Sequence, residues 1–378
     1  MEEKLLPHVN KQMASFFLTT KCNLTCEYCY NREERAQMLE QTLPIEVAKA
    51  GVDLFFKENP SRHIRFYGPG EPTQEIELMK EIVTYAGLKA GSDLVVEIQT
   101  NGVFERKARE WLLNNVNIMW ISFDGEPEVH DAKRYFPDMS PTSPLIEDNI
   151  NWLLDNKLSQ NFMVGARVTI TDDNIERQKS MVDYFLSLRI KYIWSDPVFP
   201  TVGTMPVYKD TAKLKSFHFD MDKYVDTYIE ARRYAEKFGV FYGSFLTCNF
   251  DGMCNKHCRA CTPVPHFTPD GYISACDLVT FGKNAGHMDC FVYGKWDKNE
   301  KMFIIDNEKV KSLQSRTTNN INHCRNCNVR EHCGGYCLGE VQNETGSLIG
   351  QKPSVCKAIK RLADNIGFTN NPYPYLHP

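Results

Sequence analysis

The sequence has no excess of either charge, no long apolar run and no internal repeat. Its 44 lysines and arginines stand against 48 aspartates and glutamates, for a net charge of −4. That balance gives no reason to expect a nucleic-acid backbone as the main partner. No stretch approaches the roughly 18 consecutive apolar residues of a membrane helix, so no membrane span is expected. The opening MEEKLLPHVNKQMASFF has one short apolar run and no small-residue cleavage site. No signal peptide is read there, and a cytoplasmic location is expected. A disordered or fibrous chain is excluded by 42% apolar and 24% charged residues, the balance of a globular protein.

Cysteine is what the sequence has in abundance, with 14 in 378 residues. In a small secreted protein they would imply disulfides. In a long chain without an export signal, cysteines grouped at spacings of two or three residues point to metal or redox chemistry.

The first 200 or so residues alternate between strand and helix patterns. Strands are predicted at Ser15–Thr20, Ile64–Tyr67, Leu94–Gln99, Ile118–Phe123, Phe162–Ile170 and Tyr192–Trp194. Helices are predicted at Ile45–Lys57, Ile76–Leu88, Ala108–Asn115, Pro144–Asp155 and Ile175–Leu188. Such βα units with short links imply an α/β fold with a parallel sheet, a partial (β/α)6 barrel short of the full eight. Chemistry in such barrels sits on loops at the carboxyl ends of the strands. An amphipathic helix over about Asp220–Phe238 bridges to a region rich in Gly, Pro, Asn and Cys, with short strands. A loop-rich segment of that kind needs staples, and metal clusters would supply them. We therefore expect a barrel over 1–216, a bridging helix over 217–243 and a cysteine-rich domain over 244–378. The tail NNPYPYLHP is expected to be extended and on the surface.

Directly after the first strand comes Cys22-Asn-Leu-Thr-Cys26-Glu-Tyr-Cys29. Three thiolates on one tight loop can hold three irons of a cubane and leave the fourth open. Zinc with a distant fourth ligand is the alternative, since structural zinc wants a closed shell of four. The triplet resembles the cluster motif of the radical S-adenosylmethionine (SAM) enzymes. Tyr28 stands where that family places the residue whose backbone meets adenine. Tyr67-Gly68-Pro69-Gly70-Glu71-Pro72 resembles the family's GGEP segment, which binds the amino group of SAM. There Gly70 would allow close backbone approach and Glu71 would supply an anion for an ammonium. Pro69 departs from the motif, since proline removes a donor. Ser122 and Arg134 are implied as contacts to the SAM carboxylate or ribose, with Arg167 a further candidate.

Cys324, Cys327, Cys333, Cys337 and Cys356, with Cys261 and Cys276 upstream, resemble the seven-cysteine SPASM motif. This cysteine-rich, loop-rich extension carries two auxiliary [4Fe–4S] clusters behind a radical SAM barrel. The resemblance implies Cys324, Cys327, Cys333 and Cys356 for the second cluster. It implies Cys276 and Cys337 for the first, with two of Cys248, Cys254, Cys258 and Cys261. Cys258 and Cys261 both fit the motif's first position and spacing does not separate them; Cys254, Cys258 and Cys261 are all kept as candidate ligands. Cys290 has no motif partner. A pair of zinc ribbons is the alternative.

The resemblance implies three [4Fe–4S] clusters and SAM as cofactors, one cluster binding SAM and two auxiliary. It further implies cleavage of SAM to a 5′-deoxyadenosyl radical that takes a hydrogen atom from a substrate. SPASM-bearing enzymes mostly modify ribosomally made peptides or proteins, so a peptide maturase, forming a crosslink for instance, is expected. Formylglycine generation, as in anaerobic sulfatase-maturating enzymes, is the runner-up. Asp277, next to Cys276, is expected to take a proton as the substrate is oxidised. An electron donor such as flavodoxin or ferredoxin is implied. The triplet begins at Cys22, which leaves no room for a leader-binding domain before it, so a separate protein supplies that function or recognition is direct. A polyferredoxin-like electron carrier, which leaves the first 200 or so residues unexplained, and a zinc-ribbon interaction protein, which a colourless anaerobic preparation with bound zinc would favour, are the readings from other classes.

Overall fold

The computed structural model describes residues 12–31, 40–157, 162–198, 201–202, 205–206, 219–250, 252–283 and 285–368. The expected tail and the expected boundary at 216–217 lie outside them.

Strands β1 (Met13–Phe17), β2 (His63–Tyr67), β3 (Val95–Thr100), β4 (Ile118–Ser122), β5 (Met163–Ile170) and β6 (Tyr192–Pro197) follow one another in a parallel sheet. A two-residue pair, β7 (Thr201–Val202) and β8 (Met205–Pro206), forms a small separate ladder. β9 (Phe241–Gly243) then adds a seventh parallel strand beside β6. The helices between strands are amphipathic. Ile45–Glu58, for example, buries Val47, Ala48, Gly51, Val52 and Phe55, one helical stripe facing the sheet. The helix Met221–Glu236 starts at Asp220, whose side chain accepts from the Lys223 amide at 2.9 Å.

The first strand begins and ends earlier than the apolar run suggests. Beyond Phe17 the chain leaves the sheet to bind the segment after residue 40. Leu43 N donates to Leu18 O (2.8 Å) and Thr20 N to Gln41 O (3.0 Å). The cysteine loop thus starts from a braced turn.

The other edge of the sheet belongs to the cysteine-rich region. β10 (His266–Phe267) pairs in parallel with β1, with Ser15 opposite His266 and Phe16 opposite Phe267. β11 (Tyr272–Ser274), β12 (Val292–Asp297) and β13 (Met302–Ile305) continue from it as an antiparallel meander. The result is one 11-stranded sheet. Gly51 is what lets the Ile45–Glu58 helix approach this junction, because a Cβ there would stand 2.8 Å from the Phe267 ring.

The pleat sorts the junction by face. Phe16, Phe66 and Phe267 share one row, with Phe16 and Phe267 stacked at 5.1 Å. The alternate row is polar: His266, Ser15, Arg65 and Glu97 are register neighbours across four strands. All four are buried. No helix among the described residues is long and apolar enough to cross a membrane.

Candidate active site

The carboxyl ends of β1 to β6 open into a cavity of about 320 Å3. Cys22, Cys26 and Cys29 stand on its wall, all contributed by the loop after β1. Cys26 is buried, which pushes its thiol up to about 12 despite the opposing charge of Arg134. The loop is held from three sides. Thr25 N donates to Tyr135 O (2.9 Å) and Glu27 N to Lys133 O (2.8 Å). Asn23 donates to Val103 O and accepts from Asn101 Nδ2, each at 2.8 Å. Asn101 Nδ2 also lies 3.9 Å from Cys22 Sγ.

Tyr28 anchors the loop through its side chain. Its hydroxyl donates to Asp124 and accepts from Arg134 Nη1, the latter at 2.9 Å. The Arg134 guanidinium also lies 5.8 Å from the Tyr28 ring centre. Arg134 was expected beside the SAM carboxylate or ribose. It faces the cavity, yet its visible partners are Tyr28 and the field of Cys26, while its Nε is buried without a hydrogen-bond partner among the described residues. Ser122 lies at the end of β4 and lines the cavity. Arg167 lines it too, 3.4 Å from Asp196.

Gly70 lies under the cysteine loop. Its amide donates to Thr19 O (2.9 Å), and a Cβ there would come within 2.2 Å of Lys21 O. No other residue fits. Glu71 is buried and accepts four hydrogen bonds from the protein. They come from Thr73 N (3.0 Å), Thr73 Oγ1 (2.8 Å), Thr100 Oγ1 (2.7 Å) and Asn101 N (2.7 Å). A carboxylate has about four acceptor sites. Three of the four bonds end on Oε1 and only that from Asn101 N on Oε2, so the carboxylate ties the loops after β2 and β3 together and keeps acceptor capacity on Oε2.

Opposite the first triplet, Cys258, Cys276 and Cys337 line the same cavity. Cys258 and Cys261 hydrogen-bond each other, so only one of the two loses its proton readily. Cys276 feels the charges of Cys337 and Cys258. The structure thus gathers Cys258, Cys261, Cys276 and Cys337. It gathers Cys324, Cys327, Cys333 and Cys356 as a second group, whose thiols feel one another in the same way. Cys254 is placed by its amide, which donates to Glu331 O at 2.6 Å. Buried Cys248 lies 3.9 Å from His257 Nε2.

Asp277 is the residue whose surroundings depart most from expectation. Arg65 donates to one carboxylate oxygen and Arg259 to the other at 2.8 Å, while His266 Nε2 stands 3.3 Å away. Burial would raise this carboxyl, but Arg65, Arg259 and His266 hold it far below the usual carboxylate range. A carboxylate so stabilised is a weak base. The geometry makes Asp277 a fixed anion on the cavity wall.

Sequence reasoning missed Arg65, Arg259, His266 and Asp196, and the hydroxyl pair Tyr30–Tyr67, all of which line the cavity. A polar residue inside an apolar strand, as in Arg65 of HIRFY, was the available signal. The donor set fits a thiolate-held iron–sulfur centre. Three thiols from one loop face a cavity, a buried guanidinium with an open Nε lies beside them, and a glycine cradle runs beneath.

Comparison with known proteins places this geometry. Residues 16–176 match the profile of the radical SAM superfamily. Over 373 residues the chain is 22% identical to the radical SAM cyclopropyl synthase TigE of Paramaledivibacter caminithermalis, covering 91% of this chain and 71% of that one. It is 22% identical over 343 residues to the cysteine-type anaerobic sulfatase-maturating enzyme of Clostridium novyi, covering 84% and 85%. Among solved structures, anSMEcpe with bound AdoMet has a similar fold, with a TM-score of 0.72 at 16% identity over 93% and 92% of the chains. Streptococcus suis SuiB bound to precursor peptide SuiA gives 0.61 at 16% identity over 92% and 76%. The cysteine-rich region after the barrel fits a SPASM domain. Residues 16–176 are a radical SAM domain, and the chain is an enzyme.

Proposed function

We propose that this enzyme is a peptide maturase with two auxiliary clusters, which oxidises a side chain of a ribosomally made peptide or protein to form a crosslink. One observation carries the reading. The thiols of Cys22, Cys26 and Cys29 and those of Cys258, Cys276 and Cys337 line a single cavity. A [4Fe–4S] centre on the first three, with SAM beside it, would supply one-electron cleavage of a sulfonium and so abstraction of a substrate hydrogen. Cys258, Cys261, Cys276 and Cys337 would hold one auxiliary centre. Cys324, Cys327, Cys333 and Cys356 would hold the other. In domain terms the barrel is assigned to 1–216, the bridge to 217–243 and the SPASM domain to 244–378.

The chain's own residues bind, orient and shield. Tyr28 and Arg134 fix the cysteine loop, and Arg134 offsets the charge of its thiolates. Gly70 gives backbone access beneath that loop, and Glu71 keeps the neighbouring loops in register. Ser122 offers a hydroxyl to SAM from the end of β4. Asp277 with Arg65 and Arg259 fixes the polarity of the wall below the auxiliary thiols. Tyr30 and Tyr67 close that wall with their hydroxyls paired. A site so lined keeps bulk water from one-electron chemistry. Flavodoxin or ferredoxin would deliver the electron, and a separate leader-binding protein would present the peptide.

The neighbour solved with its precursor peptide supports a peptide substrate. Formylglycine generation is the second reading, favoured by the sulfatase-maturating relatives and the Cys276-Asp277 pair. Mass spectrometry after anaerobic co-expression with a short peptide encoded beside the gene separates the two. A crosslink removes two hydrogens from the peptide, whereas the second reading turns a Cys or Ser of a sulfatase peptide into an aldehyde. Failure of the iron-loaded enzyme to cleave SAM with dithionite would sink both.

A further inference from the structure

Arg316 is a fully buried cation with no acid paired to it among the described residues. It follows the helix Asn307–Ser315 and is 2% exposed. Its donors end on backbone carbonyls: Nε on Leu348 O (3.2 Å), Nη1 on Gly334 O (3.0 Å) and Nη2 on Gly335 O (2.5 Å). Among the described residues no carboxylate forms an ion pair with it. A guanidinium held only by neutral carbonyls is costly inside a protein unless an opposite charge compensates it.

It sits instead against the backbone that joins the two thiol groups. The carbonyls it holds belong to the segment that passes between the groups, since Cys333 belongs to one and Cys337 to the other. Only Gly334, Gly335 and Tyr336 separate those cysteines, and all three have positive φ, at 64°, 88° and 68°. A Cβ on Gly335 would meet Arg316 Nη1 at 2.9 Å, and one on Gly334 would meet the His257 backbone at 2.5 Å. The crossover is wrapped around the guanidinium on one side and the His257 segment on the other.

We propose that Arg316 is the shared counter-cation of the two auxiliary clusters, a positioning residue that holds their crossover and makes both easier to reduce. The inference rests on the cluster reading given above. A fixed positive charge between two anionic centres stabilises an added electron on either one. Both sites are thereby set as electron acceptors, which suits a reaction that must remove an electron from its substrate.

The test uses the full chain with Cys22→Ala, Cys26→Ala and Cys29→Ala, so that only the auxiliary sites remain. Iron is counted, and both midpoints are followed by spectroscopically monitored redox titration without air. The parent is expected to hold roughly eight irons from two cubanes. Arg316→Gln should retain them while both midpoints move negative. The expected change is at least about tenfold in the reduction equilibrium, or about 59 mV for one electron. Arg316→Lys keeps the charge and should leave both within about twofold of the parent. Unmoved midpoints in Arg316→Gln, or movement of only one, overturn the shared role. Should Arg316→Gln lose iron, Arg316→Lys decides, because a tenfold shift with the charge retained overturns the proposal. A parent with fewer than eight irons overturns the cluster reading itself, so the two failures are distinguishable.

Discussion

Arg134 donates to the hydroxyl of Tyr28 at 2.9 Å, and Tyr28 donates in turn to Asp124. One phenol therefore joins the cysteine loop to the loop after β4. Tyr28→Phe removes that joint and leaves a buried carboxylate short of a donor. We expect a loss of about 1–3 kcal/mol in stability, the usual penalty for an unsatisfied buried group. Anaerobic urea denaturation measures it, and an unchanged midpoint would show that the joint is dispensable.

His130 predicts a pH dependence. Its Nδ1 accepts from the Asp124 amide (3.1 Å), and Nε2 faces Thr142 Oγ1 (3.0 Å), whose hydroxyl donates to Arg134 O (2.8 Å). Only the neutral ring fits. Burial first, and Arg134 second, hold the ring well below its ordinary value of 6.5. Below about pH 6.5 the unfolded chain takes up a proton that the folded chain refuses. Stability should then fall by up to about 1.4 kcal/mol for each pH unit, as one proton's linkage requires. The loss continues until pH reaches the depressed folded value. His130→Gln should flatten this slope between pH 6.5 and 5, and an equally steep slope in the variant would refute the assignment.

Gly70→Ala should cost the first cluster without touching the others. The added methyl meets the carbonyls of Lys21 and Thr19, one residue and three residues before Cys22. If three cubanes give about 12 irons, the variant should retain roughly eight. Replacing Cys22, Cys26 and Cys29 by Ala should give the same count and no SAM cleavage. Full iron content in Gly70→Ala would mean that the loop yields.

Asp277→Asn separates two roles. As the fixed anion between Arg65 and Arg259, Asp277 supports the fold, and its loss leaves two buried guanidiniums without their acid. Breaking a buried pair in this way costs about 3–5 kcal/mol. Thermal unfolding should register it. A variant as stable as the parent but unable to form product would instead support Asp277 as the proton acceptor.

The barrel was legible because its strands and helices each carry their own period. His63–Tyr67 and Ile118–Ser122 are short apolar runs bounded by turns, and Ile76–Ala90 repeats on a helical stripe. The cysteine loop was legible because its three thiols lie within eight residues. What escaped was whatever depends on distant partners. The two-residue strand His266–Phe267 has no period to read, and its place is set by Ser15 and Phe16, some 250 residues away. The choice among Cys248, Cys254, Cys258 and Cys261 could not come from spacing, because the chain folds Cys258 and Cys261 back toward Cys276 and Cys337. The protein partners of Glu71 and Asp277 escaped for the same reason. Their donors come from Thr100 and Asn101 in one case and from Arg65 and Arg259 in the other.

The seam between His266–Phe267 and Ser15–Phe16 has a consequence for how the protein can be dissected. A fragment cut off before the C-terminal half would leave the opening strand's amides and carbonyls bare along an apolar margin, an invitation to intermolecular pairing. The barrel half should therefore precipitate when expressed alone, and the two halves should be recoverable only as one polypeptide or as complementing pieces that reassemble along that margin.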